Sequence, residues 1–104
     1  MANAFTPIST QAPSSNTAAT RTLAAQATAR WVLTSVSWSY SDTPTNGSLT
    51  ITWGSNTMTY YITAGGPGIL TFASKLKFPT NTAVTITLAA AGVTGTVYMD
   101  AETE

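Results

Sequence analysis

The sequence contains no cysteine and no histidine. The first absence excludes a disulfide scaffold and a thiolate metal site. The second removes the side chain that most often moves protons near neutral pH. Charge is equally scarce: 8% of the 104 residues are charged, four Lys or Arg against four Asp or Glu, for a net charge of zero. Nucleic-acid binding needs clustered basic residues facing phosphate, and Arg21, Arg30, Lys75 and Lys77 are too few and too scattered to supply them. No apolar run is long enough to cross a bilayer as a helix, so no membrane partner is expected. The opening "MANAFTPISTQAPSS" has neither a basic segment nor a continuous apolar stretch, and no secretory signal is expected from it.

What is present is Thr, Ser, Ala and Gly, together with three Trp, four Tyr and three Phe, and 43% hydrophobic residues in all. That is enough apolar bulk for a folded core. A free-standing monomer usually carries about a quarter charged residues. A surface of Thr, Ser and Ala instead suits a protein packed against other subunits.

Two parts are visible. Residues 1–28 hold Pro7 and Pro13, many polar residues and little apolar bulk beyond Phe5, Ile8 and Leu23. They read as a flexible arm, extended or weakly helical over "TAATRTLAAQATAR", with those three apolar residues as the anchors on docking. Residues 29–104 read as one β domain. In "WVLTSVSWSY", Val32, Thr34, Val36, Trp38 and Tyr40 alternate with Trp31, Leu33, Ser35, Ser37 and Ser39. "SDTPTNGS" is a turn. "LTITW" and "TMTYYIT", joined by "GSN", form a hairpin. "ILTF", "AVTITLAA" and "VTGTVYM" complete about six short strands. Alternation gives each strand one buried and one solvated face, which favours antiparallel pairing. The predicted fold is all-β: a small antiparallel β-sandwich, jelly-roll or Ig-like, with an extended N-terminal arm.

A domain this small gains little net stability from its core alone, and neither disulfide nor metal is at hand. Oligomerisation is the remaining support. Trp31, Leu33 and Tyr61 fall on the outward faces of their strands in strict alternation, where they would fill a self-association interface. Trp38, Tyr40 and Tyr60 read as core. Trp31 and Tyr61 stay open between an interface and a sugar-stacking platform.

Catalysis finds few candidates. Without His or Cys, a serine could be activated only by Lys75 or Lys77, and "ASKLK" lacks the S-x-x-K spacing. "DAETE" reads as a frayed acidic tail rather than a Ca²⁺ site. No catalytic, cofactor or metal residue is assigned, and the chain is expected not to be an enzyme. The loop "ITAGGPGILTF" has three glycines, but neither the G-x-x-x-x-G-K-[ST] nor the G-x-G-x-x-G spacing. It reads as a sharp corner at an edge or end of the sandwich.

The order of "RWVLTSVSWSYSDTPTNGSLTI", "YYITAGGPGILTF" and "NTAVTITLAAAGVTGTVYM" resembles small virion structural proteins of tailed bacteriophages, of the capsid-decoration (cement) or head-fibre type. The likeness covers residues 28–99. It implies a cofactor-free subunit, made in the host cytoplasm, that forms a homotrimer and binds the major capsid protein on the outer head surface. The alternatives are a carbohydrate- or receptor-binding module of a fibre or spike, and a tail or head-completion subunit.

Overall fold

The computed structural model describes residues 8–11 and 16–104. These residues form eight strands: β1 (Ile8–Gln11), β2 (Ala19–Leu23), β3 (Trp31–Tyr40), β4 (Gly47–Trp53), β5 (Asn56–Ile62), β6 (Gly66–Lys77), β7 (Val84–Leu88) and β8 (Gly95–Thr103). They make two four-stranded antiparallel sheets, in the orders β1-β8-β3-β6 and β2-β7-β4-β5. Strands 1 to 4 thus pair with strands 8 to 5, as in a long hairpin rolled up on itself. That order is the eight-stranded jelly roll, one of the two sandwich types that the alternation left open.

The inner faces supply the core. Leu49 and Ile51 of β4, Val84, Ile86 and Leu88 of β7, Val97 and Met99 of β8, and Val36 and Tyr40 of β3 are all buried. Each large aliphatic side chain removed from water in this way contributes about 1.5–3 kcal/mol. Tyr40 brings a hydroxyl into the core, and the phenol donates to the Ala89 carbonyl at 2.8 Å. Trp53 and Phe78 close one end edge to face, with ring centroids 5.2 Å apart.

The structure departs from the sequence reading in three places. First, β1 and β2 lie inside residues 1–28. Their backbones pair with β8 and β7, and Ala19 and Leu23 sit in the core. Over residues 8–11 and 19–23 the flexible arm is replaced by strands, because a jelly roll needs both to cover β7 and β8. Second, the strict alternation of β3 breaks. Its register with β6 and β8 shifts between Leu33 and Ser35. The extra residue, Thr34, reverses the facing of everything before it, so Leu33 joins Val36 and Tyr40 in the core, fully buried. Val32 is turned to the opposite face, between Lys77 and Glu102. Third, "DAETE" is not a frayed tail. β8 runs to Thr103, and Glu104 exchanges two backbone hydrogen bonds with Arg30, at 2.9 and 3.1 Å.

The hairpin of β4 and β5 and the strands β7 and β8 stand where the period-two pattern puts them. The connection from one sheet to the other is residues 63–65; Gly66, Pro67 and Gly68, expected as a corner, already belong to the edge strand β6, where they pair with Tyr40, Ser39 and Trp38. Gly65 is needed for close approach: a Cβ there would lie 2.7 Å from the Asp42 backbone. Gly66 takes φ 82°, which a bulkier residue resists.

Candidate functional site

The site residues expected from the sequence do not come together. Phe5 lies outside the described residues. Ile8 is placed by its backbone in β1, opposite Met99. Leu23 is buried in the core and unavailable for docking. Leu33 is buried as well, for the reason given above. Trp31 is half-buried against the core, and its indole Nε1 donates to the Ala24 carbonyl at 2.8 Å. Tyr61 alone is open, at 84% exposure, the highest of any large apolar residue described.

The register of β2-β7-β4-β5 gives Tyr61 its surroundings. Leu49 and Ile51 point into the core, so Ser48, Thr50 and Thr52 of the same strand point out. Thr50 is paired with Thr87 on one side and Thr59 on the other, and Thr87 in turn with Thr20. Two residues along, Thr52 is paired with Thr85 and Thr57, and Thr85 with Thr22. The outward face therefore carries two complete rows of threonine, Thr20-Thr87-Thr50-Thr59 and Thr22-Thr85-Thr52-Thr57. Neighbours within a row are about 4.8 Å apart and the rows about 6.7 Å apart. One pair of hydroxyls, Thr22 and Thr85, lies 3.3 Å apart. Tyr61 is paired with Ser48 in the next row, at the corner of this array.

The sequence carries a sign of these rows: T-x-T occurs at Thr20/Thr22, Thr50/Thr52, Thr57/Thr59 and Thr85/Thr87, and also, outside the rows, at Thr43/Thr45, Thr80/Thr82 and Thr94/Thr96. What it does not show is which four of these seven copies fall into one register.

The opposite outer face is also hydroxyl-rich but differs at its centre. Ser37 is paired with Ile69 and with Tyr98, and the neighbouring Ser39 with Pro67 and Thr96. Ile69 is 64% and Tyr98 45% exposed, so this face carries a small apolar patch.

Five of the eight charged residues pair at one end of the sandwich, while Arg21 lies in β2 between Thr20 and Thr22 and Asp42 in the connection from β3 to β4. Lys77 Nζ lies 3.2 Å from Glu104 Oε1, Lys75 Nζ 3.3 Å from Glu102 Oε1, and Arg30 Nε 4.0 Å from Glu104 Oε1. These pairs are exposed and contribute little individually. Among the described residues no group of three His, Cys, Asp or Glu is placed to hold a metal ion. The threonine face offers hydroxyls that donate and accept, methyl groups, and one phenol ring.

No protein-family model matches the sequence, and no curated protein matches it. Among solved structures, the chain is similar to a carbohydrate-binding module of type CBM36 in complex with calcium and xylotriose. The identity is 14%, covering 100% of this chain and 92% of that one, with a TM-score of 0.44. It is also similar to TmCBM61 in complex with β-1,4-galactotriose, at 10% identity over 94% of this chain and 69% of that one, with a TM-score of 0.43. Likeness at this level says nothing about the ligand of the present chain.

Proposed function

We propose that this chain is a non-catalytic binding domain that holds a neutral carbohydrate on the outward face of β2-β7-β4-β5. One observation carries the reading: Tyr61, almost fully exposed, stands beside two paired rows, eight threonines in all, that carry no charge themselves. A sugar ring presents an apolar C–H face and a rim of hydroxyls. The phenol ring of Tyr61 suits the first, and the threonine hydroxyls, each donor and acceptor, suit the second. A charged ligand finds no counter-charge in the rows. The jelly roll hosts lectin domains among others, but the fold alone assigns no function. The test is a glycan array probed with the wild-type chain and with Tyr61→Ala and Tyr98→Ala. Tyr61→Ala should weaken binding about tenfold or more, while Tyr98→Ala, on the other sheet, should leave it unchanged. An array without a hit contradicts the reading.

A second reading, a virion decoration subunit that binds the outer head surface, is favoured by a different feature. The patch of Pro67, Ile69 and Tyr98 lies on the sheet opposite the threonine rows, on a chain with almost no charge to keep it monomeric. One face would dock while the other stays free. Antibody labelling of purified virions in negative stain separates this reading from a tail location. Particles without label contradict it.

A further inference from the structure

The jelly roll has four edges, and proteins normally guard such edges against pairing with other chains. Three are guarded here. β1 and β2 are short, and β2 carries Arg21. β6 carries Pro67, Lys75 and Lys77, and its pairing with β3 is interrupted between Thr71 and Leu76. β5 has none of these devices. It is seven residues long, "NTMTYYI", in unbroken register with β4, without charge, proline or bulge.

The hairpin turn tells which of its backbone groups are free. Trp53 and Asn56 close a two-residue turn whose first central residue, Gly54, has φ 57°, as the primed hairpin turns require. The closing pair of such a turn exchanges backbone hydrogen bonds, and hydrogen-bonded pairs then recur at every second residue. Asn56, Met58, Tyr60 and Ile62 therefore bond to β4. Thr57, Thr59 and Tyr61 direct their N–H and C=O groups away from it, and among the described residues no strand lies on that side.

We propose that β5 pairs antiparallel with β5 of a second copy of this chain, about a two-fold axis through Thr59. Full overlap of the two strands places Thr57 opposite Tyr61 of the copy and Thr59 opposite Thr59, and these are the residues with free backbone groups. The same register brings Met58 and Tyr60, half-buried on the inner face, against Tyr60 and Met58 of the copy, which covers the open flank of the core. A second copy fits better than an unrelated strand because the match is internal. Free groups meet free groups, half-covered side chains meet each other, and no like charges approach across the axis. The two sheets join into one of eight strands, with the threonine rows continued across the junction. This inference is independent of what the rows bind.

The experiment is sedimentation velocity on the full chain over a range of concentrations, for wild type, Thr59→Pro and Thr59→Lys. Neither substitution removes a bond to β4. The first deletes the N–H at the axis; the second sets two ammonium groups against each other. The wild type should sediment as a dimer, and each variant should weaken dimerisation about tenfold or more with its circular dichroism unchanged. Should the proline variant fail to fold, the lysine variant decides alone. A wild-type monomer at all concentrations overturns the proposal. So does a trimer, or a dimer that survives both substitutions.

Discussion

The indole of Trp38 occupies the side-chain position of Gly68: a Cβ on the glycine would sit 2.4 Å from Trp38 Cζ2. The contact joins the inner side of β3 to the edge strand β6, where the two residues are paired. It fixes the Gly-Pro stretch against the sandwich and explains why glycine recurs one residue after Pro67. Gly68→Ala forces the ring aside and should cost about 1–3 kcal/mol. Urea denaturation followed by Trp fluorescence checks this; an unchanged midpoint would show that the indole is free to move.

Leu33 and Tyr61 test the register. Strict alternation puts both outside, whereas the bulge at Thr34 buries Leu33 and leaves Tyr61 exposed. Leu33→Ala should destabilise by about 2–5 kcal/mol. Tyr61→Ala should stay within about 0.5 kcal/mol when measured at protein concentrations too low for self-association. Equal effects of the two would contradict the bulge.

That contrast also marks what the sequence can tell. The strands β4, β5, β7 and β8 are legible because Leu, Ile, Val and Met alternate with Thr at a period of two. The bulge is not, because Thr34 suits a regular strand as well as an irregular one. β2 is missed because its two buried residues, Ala19 and Leu23, flank three polar ones. Their burial depends on β7, far along the chain. The threonine rows have a local sign in T-x-T, but only the pairing of four distant strands makes it a surface. Alternation alone puts Tyr61 outside, where it lies, but its setting among the threonine rows depends on the same distant pairings.

The N-terminal strands lead to a third prediction. Deleting residues 1–28 removes Ala19 and Leu23 from the core and uncovers the edges of β7 and β8. The truncated chain should lose its cooperative thermal transition. A truncated protein that melts like the full chain would show that the arm is dispensable and that β1 and β2 add little.

Tyr40 supplies a pH dependence. Burial, partly offset by a backbone hydrogen bond at Ser48, raises the pKa of its phenol above the ordinary 10.0. As pH climbs past that value the unfolded chain loses this proton first. The folded state then holds more protons, and stability falls with rising pH. The contribution is intact below pH 10 and is lost as pH rises through the folded-state value. Tyr40→Phe leaves the Ala89 carbonyl without its partner at 2.8 Å. It should cost about 1–3 kcal/mol at neutral pH and make the alkaline decline shallower. Urea midpoints measured from neutral to strongly alkaline pH check both; a variant with the wild-type slope would show that Tyr40 does not cause the decline.

The outward face of β2-β7-β4-β5 as the ligand surface is tested most directly by an amide-resolved NMR titration with neutral oligosaccharides of the cello, xylo and galacto series. Shifts should cluster at Thr50, Thr59, Tyr61 and Thr87 and spare Ser37, Ile69 and Tyr98. Shifts confined to the Ile69–Tyr98 face, or none with any of the sugars, would contradict it.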